Sequence, residues 1–194
     1  MIEPLLIVIA APSGGGKSTV LGRVFAQTPG LLFSISHTTR PPRMGEVNGR
    51  EYFFCSEPEF RSLIAKGAFL EWAEVHGRLY GTSRAELRRA KSEGKDLVLD
   101  IDVQGAAQIV KAHPEALTIF LRPPSLGVLS ERLRGRATDS EEVVVTRIRN
   151  ATGEIERASE FRYVVVNDDL EATVNRVMEI IEAERAAKAN ESSG

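Results

Sequence analysis

The segment Ala11-Pro12-Ser13-Gly14-Gly15-Gly16-Lys17-Ser18-Thr19 carries the residue types that hold phosphate. Consecutive backbone N–H groups at a helix start point into one concavity, where the helix dipole also favours anions. Gly14, Gly15 and Gly16 permit the close backbone approach this needs. Lys17 offers a mobile positive charge to terminal phosphates, and Ser18 a hydroxyl ligand to Mg²⁺. The usual pattern opens with glycine where this chain has Ala11, a departure of one methyl group. A triple glycine can simply turn a chain. Here it follows the apolar run Leu5–Ala10 and leads into a helical pattern from Lys17, the strand–loop–helix context a phosphate loop requires. The implied ligand is a nucleoside triphosphate with Mg²⁺.

Two further groups of residues suit phosphate chemistry. Leu97-Val-Leu-Asp100-Ile-Asp102 is an apolar strand ending in carboxylates, as expected of a segment that positions Mg²⁺ beside a phosphate loop. Asp102 equally suits the N-cap of a helix over 103–111. Asp100, at the end of a buried strand, needs a partner, and a magnesium ion reached through water is one. Arg40 and Arg43 bracket Pro41-Pro42, which stiffens the backbone and restrains where the guanidinium groups point. Paired arginines so held suit bidentate capture of a phosphate; the alternative is two solvated surface arginines.

The elements that must position these groups alternate. Short apolar runs at Leu5–Ala10, Leu31–Ile35, Leu97–Ile101, Leu117–Leu121 and Tyr163–Val166 read as strands covered on both faces. Helical stripes lie between and after them, with Val144, Ile148, Ala151 and Ile155 on one face and Val174, Val177, Met178 and Ile181 on another. The expected fold is α/β, a parallel sheet flanked by helices. Residues 34–94, rich in aromatics, arginines and glycines, read as an inserted antiparallel subdomain. The charged stretch 125–156 reads as a short helical lid, and the polar tail at 188–194 as disordered.

Bulk properties exclude other classes. The 194 residues suit one domain, and 42% hydrophobic with 27% charged residues is a globular composition. A net charge of -2 gives no overall field for nucleic acid or anionic membrane. A single cysteine, Cys55, forms no intrachain disulfide, and His37, His76 and His113 lack metal-ligand spacing. No run approaches a membrane span and no basic leader precedes the first apolar run, so a cytoplasmic protein is expected.

The chain resembles the guanylate kinases. The resemblance rests on Ser36-His-Thr-Thr-Arg-Pro-Pro-Arg-Met-Gly-Glu46, Asn48–Phe54, Phe69–Ala73, Tyr80-Gly-Thr82, Leu99–Gly105, Arg132–Arg136 and Val166–Asp169, in order over nearly the whole chain. It implies a phosphate-loop core (1–33, 95–124 and 157–187), a mixed α+β GMP-binding insertion (34–94) and the lid. It further implies that Ser36, Glu71 and Thr82 read guanine, and that Arg40, Arg43, Tyr52 and Tyr80 hold the GMP phosphate, with Asp100 and Asp102 beside GMP. A carboxylate suits guanine because it accepts from both N1–H and the exocyclic amino group, a pair adenine lacks. Read alone, Glu71 is equally a surface acid beside Trp72, and the tyrosines ordinary packing. Arg132, Arg136 and Arg147 match the lid arginines that neutralise the transferring phosphoryl group with Lys17 and Arg43, and Asn167 and Asp168 match a segment near the adenine of ATP. The chain has Gly135-Arg136-Ala137 where the family often has Gly-Arg-Gly.

The reaction so implied is in-line transfer of the γ-phosphoryl group of Mg-ATP to GMP or dGMP. No general base is needed, because a phosphate monoester with a second pKa of about 6 is largely dianionic at pH 7. Two other readings are a catalytically inactive scaffold of the same fold that binds phosphorylated ligands, and a related kinase with a different phosphorylated acceptor. Lys17 and the three lid arginines argue against the first; Ser36, Glu71 and Thr82 argue against the second.

Overall fold

The computed structural model describes residues 3–75, 77–135 and 141–191. Strand β1 (Leu6–Ala10) enters the glycine loop, and α1 (Lys17–Gln27) leaves it. Then follow β2 (Leu31–Phe33), β3 (His37–Thr38), β4 (Phe53–Phe54), α2 (Glu57–Ala65), β5 (Phe69–Val75), β6 (Arg78–Ser83) and α3 (Arg84–Glu93). The remainder is β7 (Asp96–Asp100), α4 (Val103–Ala112), β8 (Leu117–Arg122), α5 (Leu126–Arg134), α6 (Glu141–Glu156), β9 (Tyr163–Val166) and α7 (Leu170–Glu191). Among the described residues one sheet has the order β2-β7-β1-β8-β9 and a second the order β4-β3-β6-β5. Two compact units divide along β1: one takes the described residues of Glu3–Ile7 and Gly30–Ala116, the other those of Val8–Pro29 and Leu117–Gly194.

In the unit of Gly30–Ala116, β2 and β7 pair in parallel, Leu31 opposite Asp96 and Phe33 opposite Val98. Leu97, Val98 and Leu99 are fully buried, which accounts for the unbroken apolar run read as a two-face-covered strand. Asp96 opens that strand, and its carboxylate accepts from the buried N–H of Leu5 at 2.7 Å. The second sheet is mixed. Strand β6 pairs antiparallel with β5 and β3, whereas β4 joins β3 in parallel, Phe53 opposite His37. The antiparallel subdomain read for residues 34–94 therefore contains one parallel pair. The chain between β3 and β4 crosses back through Pro41-Pro42 and a turn, so the two strands run the same way. Helix α2 starts at a capping box of Ser56 and Glu59 and packs Phe60 on Phe69 and Leu79.

In the unit of Leu117–Gly194, β8 and β9 pair in parallel from Ile119–Tyr163 to Arg122–Val166. The stripe on α6 buries Val144 and Ala151 against Leu129 and Leu133 of α5, with Ile148 and Ile155 packed beside them. Helix α7 buries Val174, Val177 and Ile181. It continues to Glu191, so residues 188–191 are helical rather than the tail expected from composition. Ala, Lys and Glu are good helix formers; residues 192–194 of the expected tail lie outside the described residues.

Asp96→Ala leaves the buried Leu5 N–H without this acceptor and is expected to cost about 1–3 kcal/mol in urea unfolding. Asp96→Asn, which keeps an acceptor oxygen, should cost less; equal losses would show that the bond is not the cause.

Candidate active site

The glycine loop is held by its own unit. Gly14 and Gly16 have φ of 82° and 83°, a left-handed conformation that side-chain-bearing residues rarely adopt. Space gives a second reason for glycine. A Cβ at Gly14 would lie 2.9 Å from Leu133 Cδ2, and one at Gly16 2.6 Å from Asn167 Nδ2. The Gly15 N–H closes a turn onto the carbonyl of Pro12 at 2.8 Å, and Gly16 is the N-cap of α1, with no side-chain hydrogen bond at that end. Lys17 is half-buried in the first turn, while Ser18 and Thr19 are exposed.

Asn167 lies in the turn after β9, where its side chain is buried and donates to the carbonyl of Gly15 at 2.7 Å. Its own carbonyl accepts from Arg132 Nη2 at 3.2 Å. One residue thus joins the loop to an arginine of α5. The resemblance assigned Asn167 to the adenine; the contact to the loop was not legible, since Gly15 and Asn167 are 152 residues apart. Glu154 of α6 is a second residue missed, accepting from the Ser13 N–H at 3.3 Å. Arg147 is half-buried and Asp168 is exposed. Arg136 lies outside the described residues.

The other unit gathers most of the residues expected around the acceptor. In β5 and β6, Glu71 stands opposite Thr82, and Tyr80 is two residues from Thr82 on the same face. Glu71 is 3% exposed, so it is not the surface acid that Trp72 beside it would suggest. Its Oε1 accepts from the Thr82 N–H at 2.8 Å, and Thr82 Oγ1 lies 3.2 Å from Ser36 Oγ. Burial pushes the Glu71 carboxyl up to about 7; the Thr82 bonds pull against that, and the charge of Asp102 adds to it.

Arg40 is held by Glu46, with Nη2 to Oε1 at 2.8 Å and Nη1 to Oε2 at 3.0 Å, and its guanidinium lies 5.3 Å over the Tyr52 ring. Glu46 also accepts from the Arg43 N–H at 2.6 Å, and the bond from Arg40 holds its carboxyl below the usual range. Glu46 stands inside the arginine segment, so its sequence position was the available signal. Arg43 itself is exposed. The Tyr52 and Tyr80 rings meet edge-on at 6.0 Å, and burial, then the charge of Asp100, pushes the Tyr52 phenol up. Asp102 takes its capping reading: it accepts from Gln104 and Gly105 N–H at 3.0 and 2.8 Å and starts α4. That bonding leaves it acting on Glu71 through charge.

Asn167→Ala removes the donor to Gly15 and is expected to destabilise the chain by about 1–3 kcal/mol in denaturant unfolding. Asn167→Asp, which sets one acceptor against another, should be worse than Ala. Identical midpoints for all three proteins would overturn this role.

The family model described as guanylate kinase matches residues 3–184. The guanylate kinase of Neisseria gonorrhoeae is 50% identical over 186 residues, 96% of this chain and 91% of its own. That of Carboxydothermus hydrogenoformans is 42% identical over 185 residues, 95% of this chain and 91% of its own. A crystal structure of guanylate kinase from Anaplasma phagocytophilum aligns with a TM-score of 0.77 at 32% identity, covering 95% of this chain and 88% of that one. With the glycine loop and the buried acid opposite Thr82, these matches over nearly the full length make the chain a member of the guanylate kinase family.

Proposed function

We propose that this chain transfers the γ-phosphoryl group of ATP to GMP, giving ADP and GDP. The observation that carries the acceptor is Glu71, a buried carboxylate joined to Thr82 and, through it, to Ser36. An empty apolar site has no use for such an acid, because burying it without full pairing is unfavourable. Guanine supplies the two missing donors, N1–H and the exocyclic amino group. Adenine presents no such pair and would leave the charge unmatched.

Arg40, Tyr52 and Tyr80 would bind the GMP phosphate, with Arg43 joining from the same segment. Glu46 fixes the plane of the Arg40 guanidinium, so less rotamer freedom is lost on binding. The loop amides and Lys17 would hold the ATP phosphates, and Arg132, Arg136 and Arg147 would stabilise charge on the transferring group. The Ser18 hydroxyl and the Asp100 carboxylate are hard oxygen donors of the kind Mg²⁺ takes along with substrate phosphates. When bound, Mg²⁺ neutralises charge on the β- and γ-phosphate oxygens. The residues themselves bind, orient and exclude water; no side chain has to remove a proton. A cytoplasmic setting, where both nucleotides are available, fits this activity.

An assay coupled to ADP formation, with GMP, dGMP, AMP and UMP as acceptors, tests the reading: GMP should be used best, and faster turnover of AMP would sink it. Lys17→Ala and Arg40→Ala should each lower kcat/KM at least about tenfold, or about 1.4 kcal/mol of transition-state stabilisation.

Glu71 makes the reaction and the fold respond to pH in opposite senses. Guanine needs the carboxylate, so KM for GMP should fall as pH rises through 7, and Glu71→Gln should lack that step. The folded value of about 7 lies above the ordinary 4.5, so the folded chain holds the proton more tightly. The stability linked to this group is complete below pH 4.5 and is lost as pH rises through 7, by an amount on the order of 3 kcal/mol. Urea unfolding at pH 5 and pH 8 should show the wild type losing stability relative to Glu71→Gln at the higher pH.

A further inference from the structure

Gly105 lies in the first turn of α4, buried against β5. A Cβ there would stand 2.4 Å from Glu71 Oε2 and 3.1 Å from the carboxyl carbon. No methyl group sits that close to an oxygen, so with a side chain at position 105 something must shift, and the carboxylate, at the end of a flexible side chain, is the part that moves most cheaply. The carboxylate is anchored from the other side by the Thr82 N–H on Oε1 at 2.8 Å. One turn along α4, on the same face, Gln108 grips the main chain of the next residue in β5: Nε2 donates to the Trp72 carbonyl at 2.6 Å, and Oε1 accepts from the Trp72 N–H at 3.2 Å. Strand β5 shifts register between Phe69 and Glu71, an irregularity of the kind that re-aims a side chain. Asp102 fixes the other end of the contact by capping the N–H of Gly105 itself.

We propose that Gly105 and Gln108 are positioning residues that set where the Glu71 carboxylate stands, and thereby set the preference for guanine over other purine bases. This rests on Glu71 being the base-reading acid. Glycine at 105 gives the carboxylate room to meet the substrate with Oε2 while Oε1 stays on Thr82, and Gln108 keeps strand and helix at that separation. A displaced carboxylate meets one guanine donor but not both. Hypoxanthine, which has N1–H but no exocyclic amino group, loses less from the same displacement and is the natural probe.

Steady-state kinetics with GMP and inosine monophosphate at saturating ATP test this in wild type, Gly105→Ala, Gln108→Ala and Glu71→Ala. Gly105→Ala should raise KM for GMP by about 10- to 100-fold, the scale of a 1 Å misplacement, with KM for ATP unchanged and the preference for GMP over inosine monophosphate collapsing. In that background Glu71→Asp, whose shorter side chain draws the carboxylate back, should recover part of the GMP use. Alanine is a better helix former than glycine, so α4 itself is not weakened by the change. Should Gly105→Ala nevertheless fail to fold, the exposed Gln108→Ala decides, with at least about a threefold loss of the preference expected. Wild-type preference in whichever of the two variants folds overturns the proposal. Glu71→Ala separates the two levels. Retained preference there defeats the reading of Glu71; lost preference there, with wild-type preference in the α4 variants, defeats the positioning role alone.

Discussion

A carboxylate shut away from water is the constraint around which one unit of this protein is organised. Glu71 is unfavourable where it stands, because burial penalises its charged form and the nearby Asp102 adds to the penalty. Only part of that is offset inside the protein, by Thr82. The surrounding choices follow. The register of β5 on β6 places Thr82 opposite the acid, and Asp102 uses its own oxygens to cap α4. A ligand with two adjacent donors completes what the fold leaves incomplete. An apolar residue of similar size would avoid that cost, so the buried acid is kept against the stability of the fold.

The other unit solves an anion problem with main chain. The glycine loop adopts left-handed backbone at Gly14 and Gly16, and its carbonyls then need donors elsewhere. Asn167 meets that need for Gly15 and, through its own carbonyl, restrains Arg132. Leu129 and Leu133 press on Gly14 from α5, so the loop is bounded by packing as well as by hydrogen bonds. Arg40 shows a similar economy in the unit of Gly30–Ala116. Its charge is kept useful by an acid that orients it and by two aromatic rings beneath it.

The sequence by itself determined the elements and the chemistry. The apolar runs at Leu5–Ala10, Leu97–Ile101 and Leu117–Leu121 made buried strands, whereas β2 and β9, at the ends of the sheet order, leave Phe33, Val164 and Val166 exposed rather than covered on both faces; helical stripes made the packed faces of α6 and α7, and the glycine loop named the kind of ligand, because each of these is a local pattern imposed by backbone geometry. What the tertiary structure decided is everything that depends on residues far apart in the chain. It turned Glu71 from an acid beside an exposed tryptophan into a buried one, gave Asp102 to a helix cap, brought Asn167 to Gly15, and set Gly105 against Glu71. No periodicity or motif encodes such distances; they appear only when strands take a register and helices take a depth against them.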